Sequence, residues 1–240
     1  MRAMVLHEFG QPLVLETVPD PTCGPDDVVL QVAGCGICAT DLKICTGKVR
    51  SVRLPHIPGH EMAGIVADVG ANVTSLRPGD RICSHFYVNC QACDYCRAGR
   101  TNLCQAMAGG QIAGRLGFEW PGAYAEYVRV PARLAVGPLP ATVKLEEMCI
   151  AADAIATAYH AVHGRAQVAA GQSLVLLGAG GVGIHGLQIA HAAGAWITVV
   201  DKDAARLSLA RQLGANETAN TAQSGVWAAL AARGRFADTV

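Results

Sequence analysis

The stretch SLVLLGAGGVG, residues 173–183, decides the fold of the second half of the chain. A short apolar run predicts a buried strand, and the glycines after it predict a tight turn that opens a helix. The turn has the spacing G-x-G-x-x-G at Gly178, Gly180 and Gly183, with Gly181 and Val182 inside it. In this context the motif is typical of a dinucleotide site, because a pyrophosphate needs close backbone approach and a helix N-terminus. A glycine-rich loop without a ligand is the alternative.

A second apolar run, ITVVD, ends at Asp201. A carboxylate at this point of a dinucleotide fold accepts hydrogen bonds from the adenosine ribose and repels a 2′-phosphate, which favours NAD over NADP. Lys202 follows directly and would soften that preference. Asp203 is predicted to cap the next helix.

The pattern of apolar residues changes near residue 150, which divides the chain into two parts. Beyond it, alanine-rich helical segments, the last at 226–234, alternate with strands, which predicts a doubly wound parallel sheet over 151–240. The final residues, 235–240, resemble one more strand, so this sheet is expected to be incomplete. Residues 1–150 show short alternating runs, such as DDVVLQVAGCG at 26–36, and predict an all-β domain.

Composition limits the class of protein. The 240 residues are 51% hydrophobic and 16% charged, with 19 basic and 19 acidic side chains, so neither nucleic acid nor an anionic membrane is an expected partner. The N-terminus has no apolar signal region. Residues 166–200 carry no formal charge, but glycines, histidines and glutamines interrupt them, which disfavours a membrane span. We therefore expect a soluble, cytoplasmic protein.

A cysteine cluster, CQACDYCRAGRTNLC, occupies residues 90–104. Its cysteines are Cys90, Cys93, Cys96 and Cys104, with the spacing C-x2-C-x2-C-x7-C. Four thiolates in this pattern close a tetrahedron around Zn2+ and leave no position for chemistry, so the pattern predicts a structural zinc lobe over about 89–105. Disulfides suit a reducing compartment poorly, and an iron–sulfur site is the remaining alternative.

Three further residues are candidates for a different metal site. Cys38 lies in GCGICATD, His60 lies in PGHEMAG, and Asp153 enters the apolar segment IAADAIATAYH. Each is ambiguous alone, because isolated cysteines and histidines are usually packing residues and an aspartate commonly caps a helix. A buried carboxylate nevertheless needs a partner.

Together the Cys38 segment, the His60-Glu61 pair, the four-cysteine lobe and the later glycine turn resemble the medium-chain zinc-dependent alcohol dehydrogenase family, in the family's order and over essentially the whole chain. The resemblance implies a GroES-like catalytic domain followed by a Rossmann domain that binds NAD. It also implies that Cys38, His60 and Asp153 hold a catalytic zinc, with Cys149 competing for the third place. Two zinc ions per chain are therefore expected. Three protein ligands leave a fourth position for water or a substrate oxygen.

The same resemblance implies roles for neighbouring residues. Glu61 would approach the metal, Asp41 would orient the histidine ligand, and Thr40 would pass on the substrate proton. Lys43 stands where the family often has a histidine, which puts the rest of that relay in doubt. Phe86 matches a family position that lines the substrate pocket. Apart from the resemblance, Trp120 in GFEWPGAY is a second candidate for that pocket, with a role as a loop anchor as the alternative.

The implied activity is hydride transfer between a small alcohol, which becomes an aldehyde or ketone, and NAD. A polyol or sugar dehydrogenase of the same family is an alternative. A zinc-free reductase is another, although such proteins typically lack the cysteine motifs. Because family members are longer, an inactive fragment is a third, and a homodimer or homotetramer is expected only of a full-length chain.

Overall fold

The computed structural model describes residues 1–109, 113–232 and 237–240. The chain forms two compact units, Met1–Asp153 and Ala154–Val240. Among the described residues, no helix combines the length and the apolar character that crossing a bilayer requires.

The first unit is built mainly from antiparallel strands. In chain order they are β1 (Arg2–Val5), β2 (Val14–Thr17), β3 (Asp27–Gly36), β4 (Glu61–Val69), β5 (Arg81–Ser84), β6 (Tyr87–Val88), β7 (Gly114–Arg115), β8 (Tyr127–Pro131) and β9 (Ala135–Val136). The central sheet has the order β8-β3-β4-β5-β9, while β1 pairs with β2 and β6 pairs with β7.

Burial along β3 explains why its sequence forms the centre of this sheet. Val28 and Leu30 are fully buried, and Val28 pairs with Val69 of β4 on one side and Val130 of β8 on the other. The apolar side chains of these strands pack together with Met62 into the first core. Transferring such side chains out of water is the main stabilising term for this unit.

Short helices lie between the strands of the first unit. The all-β prediction for residues 1–150 did not include these helices. They are α1 (Ala39–Cys45), α2 (Asp94–Arg97) and α3 (Leu145–Met148), with 3-10 turns at Thr101–Leu103, Gln105–Gly109 and Ala132–Leu134 and a π-helical turn at Ala151–Ile155. α1 begins after Cys38, whose backbone N–H donates to the Asp41 carboxylate at 2.8 Å. This carboxylate contact stabilises a helix that propensity alone leaves marginal.

The second unit has a parallel sheet flanked by helices. Its strands are β10 (Ser173–Leu177), β11 (Trp196–Asp201) and β12 (Glu217–Asn220), paired in that order; its helices are α4 (Ala156–Tyr159), α5 (Gly181–Ala192), α6 (Ala204–Gln212) and α7 (Val226–Ala232), with a π-helical turn at His160–Arg165. Leu187 of α5 and Ile197 of β11 are fully buried in its core. The predicted combination of a β-rich domain and a parallel α/β domain is confirmed.

The structure describes only part of the predicted last helix and of the predicted last strand. Residues 233–236, which hold the end of that helix and the start of that strand, lie outside the described residues. Thr239 forms an isolated parallel bridge with Leu174 of β10. The position of Thr239 agrees with a further strand beside β10.

Candidate metal centres and dinucleotide site

Four candidate metal ligands from separate parts of the first unit meet at one point. Cys38 precedes α1, His60 precedes β4, Glu61 opens β4, and Asp153 lies in the π-helical turn. One donor atom from each residue lies within 4.8 Å of the donor atoms of the other three. This cluster contains Asp153 and not Cys149, whose thiol donates to the Glu146 carbonyl at 3.1 Å.

The backbone before β4 has a conformation that only glycine adopts readily. Gly59 has φ +95°, and a Cβ on it would lie 2.5 Å from the Tyr124 ring. A glycine at this position therefore lets the chain turn sharply and present the next residue, His60, to the cluster. His60 itself is 2% exposed.

The His60 imidazole lies between two carboxylates. Its Nδ1 is 3.3 Å from Asp41 Oδ1, and its Nε2 is 3.3 Å from Asp153 Oδ2. Nδ1 and Asp41 Oδ1 are both fully buried, and neither has a well-formed hydrogen bond to any described residue. A ring with a proton on each nitrogen can donate to both carboxylates, and a cation bound at Nε2 would take the place of the proton that faces Asp153.

The same crowding of donors shifts the pKa values. Burial alone would lower the pKa of His60, but the carboxylates of Asp153 and Asp41, each 3.3 Å from a ring nitrogen, raise it to about 10. Desolvation and the Asp153 charge raise the pKa of Glu61 to about 7. Acidic groups are thus concentrated at one point, and a cation bound there would displace protons from His60 and Glu61. One thiolate, one imidazole and carboxylate oxygens are a donor set that fits Zn2+.

The cysteine lobe forms a second cluster. One sulfur from each of Cys90, Cys93, Cys96 and Cys104 lies within 4.8 Å of the other three, and the described cysteines are all free thiols. The backbone N–H of Cys90 donates to Cys104 Sγ at 3.3 Å. Backbone amides of Cys96 and Gln105 lower the pKa of Cys93 to about 6, so a thiolate is available near neutral pH. Four sulfurs at these distances fit a closed tetrahedral zinc site and do not form the alternative disulfides.

The glycine turn of the second unit has the geometry of a phosphate cradle. Gly178 has φ +99°, and a Cβ on Gly183 would collide with the Gly178 carbonyl. In contrast, a Cβ on Gly180 or Gly181 would meet nothing within 4 Å. Gly180 is the N-cap of α5 and brings no side-chain hydrogen bond, and Gly178, Gly180 and Gly183 line a cavity of about 360 Å³ that fits a pyrophosphate.

Asp201 ends β11 beside this turn. Its Oδ2 accepts from the Ala179 N–H at 2.8 Å and its Oδ1 accepts from the Asp203 N–H at 2.9 Å. These backbone hydrogen bonds lower the pKa of Asp201, so the group is a fixed anion. Arg206 approaches Asp201 at 4.0 Å, and Lys202 is exposed. The prediction that Asp203 caps the next helix is confirmed, because its side chain accepts from the N–H groups of Ala205 and Arg206.

The remaining predicted residues are placed at different depths. Phe86 is buried with its ring centroid 5.1 Å from that of His60. Trp120 lines a cavity of about 440 Å³ beside Met1 and Tyr127, whose lining includes none of the four clustered candidate ligands. Thr40 is half-buried in the first turn of α1, and Lys43 is exposed on it.

Sequence reasoning missed another aromatic contact of His60. The Phe118 ring centroid also lies 5.1 Å from the imidazole centroid, and the Arg115 guanidinium lies over the Phe118 ring at 4.1 Å. The pairing of β6 with β7 brings residues 115–118 beside Phe86. No residue in the loop after the cysteine lobe carries a sequence signal for this contact.

Comparison with known proteins agrees with this geometry. Residues 24–141 match the family described as "Alcohol dehydrogenase GroES-like domain", and residues 181–240 match "Zinc-binding dehydrogenase". The chain is similar to an alcohol dehydrogenase of Geobacillus stearothermophilus, with 34% identity over 92% of this chain and 64% of the relative. It is similar to an L-threonine 3-dehydrogenase of Chelativorans sp. (strain BNC1), with 34% identity over 92% of this chain and 62% of the relative.

A solved structure extends the likeness to the fold. The alcohol dehydrogenase of the archaeon Aeropyrum pernix has a TM-score of 0.88 and 31% identity, covering 99% of this chain and 70% of that one. The chain belongs to the medium-chain zinc-dependent alcohol dehydrogenase family. It spans 64% and 62% of the lengths of the two curated relatives above.

Proposed function

We propose that this protein is a zinc-dependent dehydrogenase that transfers hydride between an alcohol and NAD, with an aldehyde or ketone as the carbonyl partner. The observation that carries the proposal is the meeting of Cys38, His60, Glu61 and Asp153 within 4.8 Å. Such a mixed set of donors differs from the four-sulfur set of the lobe, and only the mixed set can keep a position open for a substrate. When bound, Zn2+ supplies a Lewis acid for the substrate oxygen and NAD supplies the hydride acceptor.

The chain's own residues have separate tasks in this proposal. Cys38, His60 and Asp153 hold the catalytic ion, and Glu61 stands close enough to act as a further ligand. Asp41 accepts from Cys38 N–H and faces His60 Nδ1, so it fixes the position of one ligand and the tautomer of the other. The Thr40 hydroxyl, in the first turn of α1, takes the proton from the substrate and passes it to solvent. Lys43 is exposed on the same helix and has no assigned role.

Phe86 is proposed to form an apolar wall of the substrate site, because its buried ring lies against the His60 imidazole. Trp120 is proposed as a second pocket residue, and it lines a cavity whose lining includes none of the clustered ligands. An apolar wall favours small alcohols over charged substrates. The name of the Chelativorans relative adds L-threonine, itself a secondary alcohol, to the substrates that deserve a test.

The proposed metal content is two zinc ions per chain, the second one in the cysteine lobe. Because that ion is enclosed by four sulfurs, it would stabilise the lobe over about 89–105 and perform no chemistry. Ten free cysteines fit a reducing compartment, so the proposed location is the cytoplasm. A homodimer or homotetramer is the proposed assembly of the complete enzyme.

The proposed cofactor is NAD, bound at the turn from Gly178 to Gly183. Gly181 and Val182, the first residues of α5, would lie beside its pyrophosphate. Asp201 keeps its negative charge at the ribose end, where it would accept hydroxyl hydrogen bonds and repel a 2′-phosphate. Lys202 would moderate that repulsion.

A substrate panel tests the proposal. The chain, loaded with Zn2+, is mixed with NAD or NADP and with simple alcohols, polyols or L-threonine, and nicotinamide reduction is followed by absorbance. We expect reduction of NAD by at least one alcohol, its loss in His60→Ala, and its retention in His7→Ala, which removes an exposed histidine. Turnover that survives His60→Ala, or its absence with every alcohol when zinc and NAD are both bound, would contradict the proposal.

A further inference from the structure

The His60 ring is in contact with two phenylalanines that the sequence places 32 positions apart. Phe86 and Phe118 each have a ring centroid 5.1 Å from the imidazole centroid, at interplanar angles of 64° and 59°. The two phenyl rings are nearly parallel to each other, 5.8 Å apart. The imidazole therefore packs against a pair of stacked rings.

Arg115 and Glu119 close the loop that carries Phe118. The Arg115 guanidinium donates from Nη2 to Glu119 Oε1 at 2.6 Å and from Nε to Oε2 at 3.2 Å, while the Arg115 backbone N–H donates to Oε2 at 2.8 Å. Nη2 also donates to Ser51 Oγ at 3.2 Å. The same guanidinium lies 4.1 Å from the Phe118 ring centroid. A planar, bidentate and stacked arginine is a rigid arrangement that lysine does not reproduce.

The ion pair is well shielded. Arg115 is 25% exposed and Glu119 is 8% exposed, and the hydrogen bonds and charge of Arg115 outweigh desolvation to lower the pKa of Glu119. Breaking a shielded pair from one side leaves an uncompensated charge. The Phe118 ring lies against the guanidinium of this shielded pair, so the pair restrains the ring.

The carboxylates beside His60 restrain the tilt of its ring only weakly, because neither Nδ1 nor Asp41 Oδ1 has a well-formed hydrogen bond to a described residue. Asp41 contacts Nδ1 and Asp153 approaches Nε2, each at 3.3 Å. A small rotation about the Cβ–Cγ bond tilts the plane of the ring while Nε2, which lies close to that axis, moves little. A ligand lone pair lies in the plane of the ring, so such rotation shifts the geometry of a metal bond. Lateral contact with the ring is what resists it.

We infer that Arg115 is a positioning residue for the candidate metal centre: by holding Phe118 against His60, it fixes the plane of the imidazole that ligates the metal. The inference rests on the proposed function, because it takes His60 to be a ligand. Arg115 itself touches neither metal nor substrate in this role.

Cobalt binding tests the inference, with Co2+ as the probe and without any need for turnover. The metal-free chain and the variants Arg115→Met, Arg115→Lys and Arg129→Met are titrated with Co2+, and the visible and near-ultraviolet bands are recorded. Subtracting the spectrum of Cys38→Ser removes the contribution of the cysteine lobe. Arg129→Met is the matched control, because it breaks another arginine pair with a buried carboxylate, Asp27, in the same unit.

We expect Arg115→Met to weaken Co2+ binding at the Cys38 site by about threefold to tenfold, less than the ~10–100-fold typical for a direct partner of a ligand. Its ligand-field bands should also change in shape, and Arg115→Lys should give an intermediate result. Arg129→Met should lower thermal stability without changing these bands. If Arg115→Met does not fold, Arg115→Lys alone is compared with Arg129→Met.

Two results separate the possible failures. Wild-type affinity and wild-type bands in a folded Arg115→Met or Arg115→Lys variant would overturn the positioning role and leave the proposed function intact. A wild-type chain that shows no Co2+ bands beyond those of Cys38→Ser would overturn the metal site itself, and the positioning role with it.

Discussion

Replacing Asp41 with asparagine tests how the chain prepares a metal ligand. One carboxylate oxygen of Asp41 accepts from Cys38 N–H at 2.8 Å, and the other lies 3.3 Å from His60 Nδ1. Asparagine has a single acceptor oxygen. If that oxygen stays on Cys38 N–H, the amide NH2 faces Nδ1 and drives the proton to Nε2, where it blocks the lone pair that would reach the metal.

The expected size of the effect follows from the position of Asp41. It contacts the ring nitrogen opposite the candidate metal and is 3% exposed, so water cannot replace the lost acceptor. Removing such a partner typically weakens metal binding by ~10–100-fold, which corresponds to about 1.4–2.7 kcal/mol. The loss should be confined to one of the two zinc ions, because the cysteine lobe is a separate cluster.

The assay is competition for Zn2+ against a chromophoric chelator, with the lobe ion as internal reference. Asp80→Asn is the matched control, because Asp80 also accepts from the backbone N–H three residues before it, at Arg77, and belongs to neither cluster. We expect Asp80→Asn to keep both zinc affinities. If Asp41→Asn binds zinc at each of its two sites as tightly as the wild type does, Asp41 does not orient His60 as a metal ligand.

Three further predictions concern the cofactor turn, acid stability and the cysteine lobe. Gly183→Ala should destabilise the fold and abolish NADH binding, because its Cβ would collide with the Gly178 carbonyl. A Cβ on Gly180 would meet nothing within 4 Å. Gly180→Ala should therefore weaken NADH binding in a fluorescence titration while its unfolding temperature stays within a few degrees of wild type. Backbone hydrogen bonds lower the pKa of Asp201, so its stabilising contribution exists above the unfolded pKa of about 4 and is lost as pH falls through the lower folded value. The unfolding midpoints of wild type and Asp201→Asn should therefore converge between about pH 4 and pH 2, and a constant difference would contradict this. Cys93→Ser should reduce bound zinc by one ion per chain in elemental analysis and lower the unfolding temperature, and a variant that keeps the same metal content would exclude a four-sulfur site.

Sequence patterns predicted the features that depend on residues close together in the chain, namely strand β3, the glycine turn and the cysteine cluster. Alternation at Val28 and Leu30 predicted a strand at β3, and both side chains are fully buried, although Val29 between them is buried as well. The glycine turn was predictable because only glycine tolerates φ +99° at Gly178 and the close approach at Gly183. The cysteine cluster was predictable because its ligands are close in sequence.

Contacts that depend on tertiary pairing were not predictable. Helix α1 has seven residues, too few for a periodic signal, and its start depends on the Asp41 carboxylate. Phe118 reaches His60 through the pairing of β6 with β7, each only two residues long. The sequence also left Asp153 and Cys149 as competing ligands, and it is the π-helical turn that brings Asp153 into the cluster.

The central claim is that Cys38, His60 and Asp153 share one zinc ion. Anomalous diffraction at the zinc edge, from crystals of the chain grown with zinc, tests it directly. We expect two peaks per chain, one inside the cysteine lobe and one about 2.0–2.3 Å from Cys38 Sγ, His60 Nε2 and an Asp153 oxygen. A single peak in the lobe, with none between these three side chains, would contradict it.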